Sequence, residues 1–202
     1  MVRRRQDHWA KRAKAERYRA RSAYKLIEID DRFKLLKKGI RVLDLGCAPG
    51  SWLQVAAERV GGAGIVVGLD LKQTEPVAKN VIALKSDVLN GAPELDEENG
   101  LPSGFDVVLS DMAPNTSGIK DADHYRSMDL AEHAMEIAWK RSGAGAGLVI
   151  KVFQGPDLPA FLKRVKSRYS KVSATRPDST RRESREIFIV ARNRREKMID
   201  VR

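Results

Sequence analysis

Short apolar runs alternate with amphipathic stretches along most of this chain. The runs are rich in valine, isoleucine and leucine, and they cover residues 41–45, 65–70, 81–87, 105–111 and 147–153. Such runs are typical of strands buried on both faces of a sheet. Apolar positions recur at helical spacing after Ser22 as far as residues 37–39, over residues 53–60, after Asp123 and over residues 156–168, and Asp123 is the expected N-cap of its helix. Strands that alternate with helices predict a doubly wound α/β fold with a mostly parallel sheet.

The end of the chain departs from this alternation. Residues 171–174 predict a short strand and residues 186–191 a final one, joined by the basic loop 176–185, which is too short for a helical crossover. Two strands joined in this way form an antiparallel hairpin. The sequence therefore predicts a seven-stranded, mostly parallel sheet with an antiparallel terminal hairpin and helices on both faces. Residues 90–104, rich in proline, glycine and acids, predict an exposed loop.

Positive charge is concentrated at the two ends of the chain. The net charge is +11 over 202 residues, with nine Lys and Arg against two acids in residues 1–21 and fourteen against five in residues 163–202, which leaves −5 for the middle. Such clusters favour a polyanion, and the N-terminal charges lack the apolar face that a membrane-bound helix needs. We expect a nucleic-acid partner, with a basic arm over 1–21, one folded domain over 22–192 and a charged tail over 193–202.

The apolar runs, the single cysteine and the three histidines further narrow the class of protein. No apolar run is long enough to span a membrane, and no apolar signal core follows the basic N-terminus, so we expect a cytoplasmic protein. The single cysteine, Cys47, excludes an internal disulfide and is expected to be a small, partly buried filler. The three histidines have no metal-ligand spacing with one another or with Cys47, so we expect no metal.

The first predicted strand runs into a glycine-containing loop that begins a helix. The spacing is Asp44-x-Gly46-x-x-x-Gly50, and the fingerprints for dinucleotides and for nucleotide triphosphates are absent. Glycine lets the backbone turn tightly and lets a ligand approach it closely. A strand–turn–helix of this kind is where open α/β sheets bind ligands. From the loop alone, a plain turn between strand and helix remains the alternative.

Three further predicted strands end in an acid at the same edge of the sheet. Asp70 lies about 20 residues beyond the glycine loop, where a carboxylate holds a ribose diol, with a helix cap or a surface charge as the alternative. Asp87 and Asp111 end the next two strands. Three acids at one edge predict a ligand site there.

A lysine interrupts the fifth apolar run. Burying Lys151 in a central strand costs several kcal/mol unless the ammonium is paired or neutral, so it requires a carboxylate partner or a chemical role. A lysine that reaches solvent from the strand end is the alternative. Lys25, in the first predicted helix, is by itself an ordinary solvated lysine.

Taken together, these features resemble the RrmJ/FtsJ family of RNA 2′-O-ribose methyltransferases, which use S-adenosylmethionine and have a Rossmann-like methyltransferase fold. The resemblance covers residues 7–192, and it is carried by the segments SAYKL (22–26), DLGCAPGSW (44–52), SDMAPN (110–115), KVFQG (151–155), RP (176–177) and SRE (184–186). The Asn/Asp-Pro-Pro-Tyr/Phe loop of amino-methyltransferases is absent after the fourth strand. An exocyclic base nitrogen is therefore not the expected acceptor.

The resemblance implies roles for individual residues. It identifies the catalytic tetrad of the family as Lys25, Asp111, Lys151 and Glu186. The methionine and ribose parts of the cofactor would be bound by Gly50, Trp52 and Asp70, with Asp87 near the adenine and Asp111 near the methyl group. Backbone amides of the Gly46–Gly50 loop could meet the methionine carboxylate.

The resemblance also implies a reaction. Lys151 is expected to be the general base for a ribose 2′-hydroxyl, or else a cation that orients the oxygen. The expected substrate is a uridine in large-subunit ribosomal RNA, and the expected state is a monomer. The alternatives are 2′-O-methylation of a tRNA anticodon loop and a catalytically silent RNA-binding factor in ribosome assembly.

Overall fold

The computed structural model describes residues 8–89, 100–114 and 117–196. Within these ranges the chain forms five helices and seven strands. The helices are α1 (His8–Ala15), α2 (Ala23–Phe33), α3 (Ser51–Val60), α4 (Lys120–Arg141) and α5 (Leu158–Arg168). The strands are β1 (Arg41–Leu45), β2 (Ile65–Asp70), β3 (Val81–Lys85), β4 (Phe105–Ser110), β5 (Ser142–Phe153), β6 (Tyr169–Thr175) and β7 (Glu186–Arg194).

The described strands form one seven-stranded sheet in the order β3-β2-β1-β4-β5-β7-β6. All neighbouring pairs from β3 to β5 are parallel, whereas β7 is antiparallel to both β5 and β6. The predicted mostly parallel sheet with an antiparallel terminal hairpin is confirmed. The hairpin enters the sheet through its second strand, so β7 lies inside the sheet and β6 forms the edge.

Two apolar layers cover the sheet. Buried residues of α2 and α3 pack on one face and those of α4 and α5 on the other. Neighbouring residues of a strand point to opposite faces. In β1, for example, Val42 belongs to the α2/α3 layer and Leu43 to the α4/α5 layer. The prediction of helices on both faces is confirmed.

Two predicted helix boundaries differ from the structure by more than two residues. The first is the end of α2, predicted at residues 37–39. This helix ends at Phe33 because Lys34 takes the left-handed conformation (φ 52°). The buried carboxylate of Asp30 then accepts the amides of Leu35 (2.9 Å) and Leu36 (2.8 Å), which turns the chain towards β1.

The second difference is the start of α4. Asp123 was the expected N-cap, but the helix begins at Lys120. The Asp123 carboxylate instead accepts the amides of Ser117 (2.7 Å) and Gly118 (3.1 Å), outside the helix. These contacts lower the pKa of Asp123. The predicted loop over 90–104 lies largely outside the described residues. No described helix combines the length and the apolar character needed to cross a membrane.

The described part of the basic arm packs against the domain. Ala13 of α1 is buried, the rings of Trp9 and Tyr24 lie 5.0 Å apart, and the Arg12 guanidinium lies 4.7 Å from the Tyr24 ring. The Tyr18 hydroxyl donates to Glu58 of α3 (2.9 Å). Residues 8–21 are therefore held on the α2/α3 face, whereas the division of the chain at residues 21 and 22 stays a prediction.

The contacts of Asp30 predict that its replacement by alanine destabilises the protein. Asp30→Ala leaves two amides of a buried turn without an acceptor, which should lower the free energy of unfolding by about 2–4 kcal/mol. Asp31→Ala is the matched control, because the Asp31 side chain is 53% exposed and its pair with Arg59 should contribute less than about 1 kcal/mol. Urea denaturation measures both. Equal losses in the two variants would contradict the assignment of the turn to Asp30.

Candidate active site

Strand alternation points two predicted site residues towards α2. Val149 and Phe188 belong to the apolar layer beneath α2 and α3. Lys151 and Glu186 lie two residues from them on β5 and β7 and therefore point to the same face. Lys25 faces them from α2. The antiparallel pairing places Phe188 opposite Lys151.

These side chains form two ion pairs. The ammonium of Lys151, whose side chain is 5% exposed, lies 2.9 Å from the Asp111 carboxylate and also donates to the Asp111 carbonyl. The ammonium of Lys25 lies 2.5 Å from the Glu186 carboxylate and 5.6 Å from the centre of the Phe188 ring. Phe188 thus lies next to both pairs. The structure brings together all four residues of the predicted tetrad, although they are far apart in sequence.

A cavity of about 340 Å³ opens beside the first ion pair. Its walls include four of the predicted ligand residues, Gly46, Asp70, Asp87 and Asp111. The apolar part of its wall comes from Leu71, Val88, Leu89, Met112 and Leu130. A cavity of this size suits a small molecule, and its apolar walls with acids at fixed positions suit a planar apolar group joined to polar or cationic ones.

The backbone amides of the glycine loop are bonded differently from what their predicted role requires. Its amides at positions 46, 47, 48 and 50 donate within the protein, to the Leu69 carbonyl, the Asp70 carboxylate and the Cys47 carbonyl. These amides are not free to meet a ligand carboxylate. The first intrahelical bond of α3 runs from Gln54 to Gly50 (3.1 Å), so helix geometry leaves the amides of residues 51–53 for that purpose.

Gly46 shows why the loop needs glycine. Its φ is 75°, and a side chain there would come within 2.5 Å of Met112 in the cavity wall. Gly50 (φ 103°) and Trp52 do not belong to the cavity wall in the described part of the chain. The Trp52 ring is buried and donates to the Ser22 carbonyl (2.8 Å), so only its backbone could serve a ligand.

Hydrogen bonds from nearby backbone amides fix the carboxylates of Asp70 and Asp87. The Asp70 carboxylate accepts the amides of Ala48 (2.9 Å) and Lys72 (2.8 Å), one on each oxygen. Each oxygen keeps a second lone pair, which is what a diol requires. Asp87 accepts the Leu89 amide (2.9 Å) in the same way. These bonds hold both carboxylates at the cavity wall.

Asp44 belongs to the loop motif but was not predicted as a site residue. It is fully buried on β1, and neither carboxylate oxygen has a hydrogen-bond partner among the described residues. Burial raises the pKa of Asp44 well above its ordinary value, and the charges of Asp111 and Asp70 raise it further. In the sequence, the feature that could have identified Asp44 is the presence of an acid inside an otherwise apolar strand.

A second cavity, of about 350 Å³, lies on the other side of the tetrad. Lys25 and Glu186 line it, together with Ala20, Arg21, Ser22, Arg181, Glu183 and Ser184. In the sequence Arg21 and Arg181 are only members of two basic clusters, because their convergence depends on the fold. The three basic side chains of this wall outnumber its two glutamates, and the two arginines can bind a phosphate-bearing chain.

Cys47 takes no part in either cavity wall. The thiol is buried and packs against Gly68, and burial raises its pKa to about 12. Its predicted role as a filler is confirmed. Within the described ranges no group of three or more His, Cys, Asp or Glu side chains could hold a metal ion.

Comparisons with known proteins identify the family. The family model described as FtsJ-like methyltransferase matches residues 18–194. Curated relatives named ribosomal RNA large subunit methyltransferase E include one from Syntrophobacter fumaroxidans, 49% identical over 91% of this chain and 93% of the relative. Another, from Methanothermobacter thermautotrophicus, is 42% identical over 94% of this chain and 90% of the relative.

Two solved structures share the fold. A Plasmodium falciparum protein, provisionally described as a ribosomal RNA methyltransferase, matches with a TM-score of 0.78 and 30% identity, over 89% of this chain and 100% of that one. A Clostridium thermocellum protein, provisionally described as an rRNA methylase, matches with a TM-score of 0.58 and 18% identity, over 83% of this chain and 96% of that one. The second likeness concerns the fold only.

The burial of Asp44 predicts a pH-dependent stability. Because its pKa is raised in the folded state, Asp44 keeps its proton where the unfolded chain has lost one, so it destabilises the fold increasingly as pH rises above its ordinary value of 3.8. Asp44→Asn removes this effect and should be more stable than the wild type by about 1 kcal/mol or more at pH 8.

Thermal denaturation at pH 5 and pH 8 measures this effect, and the advantage of Asp44→Asn should shrink at the lower pH. The exposed Asp129→Asn is the control, with a change within about 0.5 kcal/mol at either pH. An Asp44→Asn protein that is less stable than the wild type at pH 8 would show that the wild-type carboxylate is ionised and satisfied.

Proposed function

Because this chain belongs to the FtsJ-like methyltransferase family, we propose that it transfers a methyl group from S-adenosylmethionine to a ribose 2′-hydroxyl of RNA. One observation carries the proposal. The ion pairs Lys151–Asp111 and Lys25–Glu186 lie between an acidic cavity and a basic one. The acidic cavity suits a cationic donor, and the basic cavity suits a polyanionic acceptor.

The acidic cavity would hold the cofactor. Asp70 would accept the ribose hydroxyls, and the apolar wall with Leu71, Leu89 and Met112 would cover the adenine. Asp87 lies on the same wall and would contact the adenine end. When bound, S-adenosylmethionine supplies a methyl group on a positively charged sulfur. The Asp111 carboxylate in the cavity wall makes this end of the cavity favourable for a cation.

The basic cavity would hold the RNA. Arg21 and Arg181 would bind backbone phosphates, and Lys25 would orient the acceptor ribose. The Glu186 carboxylate fixes the position of the Lys25 ammonium. Arg21 also donates to the Ser179 carbonyl, which ties the arm to the loop that carries Arg181. The acceptor site would therefore be assembled from three separate parts of the chain.

Lys151 would take the proton of the 2′-hydroxyl. The Lys151 ammonium would first release one proton to solvent. The neutral amine then has two N–H donors, which match the carbonyl and carboxylate oxygens of Asp111. Its lone pair then remains for the hydroxyl proton. Asp111 would hold the amine at the boundary between the two cavities, where oxygen and methyl must meet. Removal of the proton makes the weakly nucleophilic hydroxyl reactive.

The proposed substrate is a uridine of large-subunit ribosomal RNA. The curated relatives named for large-subunit ribosomal RNA match over most of this chain, which supports that target. The family resemblance supports the 2′-hydroxyl and the uridine. The basic arm and the arginines of the second cavity support a nucleic-acid partner.

Substitution of Lys151 tests the proposed base. Lys151→Ala should lower the turnover by at least about 100-fold, because a positioned base contributes at least that much. Its dissociation constant for S-adenosylhomocysteine, measured by titration calorimetry, should stay within about threefold. Lys171→Ala, on the exposed edge strand β6, is the control and should keep full turnover. Residual turnover above about a tenth of the wild type would rule out Lys151 as the base.

A transfer assay tests the substrate. Methyl-labelled S-adenosylmethionine should label large ribosomal subunits isolated without this modification, and nuclease mapping should locate the label on a uridine ribose. Unmodified tRNA should remain unlabelled. Label on the tRNA anticodon loop would identify the tRNA alternative, and the absence of label from both would support the catalytically silent factor.

A further inference from the structure

Residues 17–22 run from the glycine loop, which lies beside the first cavity, to the second cavity. At one end Arg19 contacts the glycine loop, and at the other Arg21 and Ser22 line the basic cavity. The segment lies directly after α1, whose exposed residues include Lys11 and Lys14. One short stretch of chain thus contacts a loop beside the first cavity and forms part of the wall of the second.

Arg19 joins two loops that lie beside the acidic cavity. Its guanidinium Nη1 donates to the Pro49 carbonyl (3.0 Å) in the glycine loop and to the Glu75 carbonyl (2.7 Å) in the loop after β2. A Cβ added to Gly50 would lie 2.8 Å from the same Nη1. The guanidinium therefore occupies the space that a side chain at position 50 would need.

Gln54 of α3 fixes the backbone around Arg19. Its side-chain oxygen accepts the Arg19 amide (2.8 Å), and its nitrogen donates to the Arg17 carbonyl (2.9 Å). Further along, the hydroxyls of Ser22 and Ser51 are 2.8 Å apart. The segment is therefore bonded to the first two turns of the helix that the glycine loop begins.

We propose that Arg19 is a positioning residue that couples cofactor binding to RNA binding. The inference rests on the proposed function. A ligand that orders the glycine loop also orders the carbonyl that holds Arg19, and thereby the segment that lines the basic cavity. Coupling of this kind is reciprocal, since each ligand must strengthen the other by the same factor. The arm then holds RNA more tightly when the methyl donor site is filled.

A binding cycle tests the coupling. The affinity of fluorescently labelled full-length protein for unmodified large ribosomal subunits is measured with and without saturating S-adenosylhomocysteine. The wild type should bind the subunits at least about fivefold more tightly with the cofactor product present, the lower end of typical couplings. In Arg19→Ala this ratio should fall below about twofold.

Two further variants separate the coupling from other effects. Lys11→Ala removes one arm charge on α1 and should weaken binding in both conditions while leaving the ratio unchanged. Gln54→Ala removes no charge but loosens the segment, and it should also lower the ratio. Circular dichroism checks that each variant is folded, and Gln54→Ala carries the test if Arg19→Ala does not fold.

The results of the binding cycle distinguish a coupling role of Arg19 from a simple RNA contact. An Arg19→Ala protein with weaker subunit binding and an unchanged ratio would show that Arg19 is only an RNA contact, which overturns the inference. A ratio near one in the wild type would overturn it as well. Methyl transfer by the wild type, measured in parallel, decides the proposed function separately, because transfer without coupling leaves the reaction standing and removes only the role of Arg19.

Discussion

The structure depends on a buried ammonium group inside the sheet. Lys151 lies in a central strand, where an unpaired charge would be prohibitively costly. Its partner, Asp111, comes from the loop after the neighbouring parallel strand. That loop also forms part of the wall of the acidic cavity. The need to satisfy one lysine therefore fixes the position of a carboxylate at the proposed meeting point of donor and acceptor.

The antiparallel strand β7 makes the rest of the site possible. Because β7 is inserted between β5 and β6, its residues pair directly with the strand that carries Lys151. Glu186 begins this strand and lies on the face covered by α2, where it meets Lys25. Phe188 separates the two ion pairs with an apolar ring. A parallel strand at this position would have brought its opposite end to the site.

The two cavities differ in charge for reasons found in different parts of the chain. The acidic cavity receives its carboxylates from or just after the ends of parallel strands, because these ends meet at one edge of the sheet. The basic cavity receives its arginines from the arm and from the loop before β7. The acids are therefore held by the sheet itself, whereas the arginines depend on how the ends of the chain pack against it.

The sequence by itself determined the alternation of strands and helices, the terminal hairpin and the edge where the acids gather, since these follow from local periodicity and the rule for parallel strands. The four members of the tetrad came from resemblance to a family. Tertiary structure alone decided that the loop amides are bonded internally, that the Trp52 ring is buried, and that Asp44 has no partner. It also decided that Arg19 reaches the glycine loop and that Arg21 and Arg181 share a cavity. These features depend on contacts between distant segments, and no local pattern in the chain encodes which distant atoms will meet.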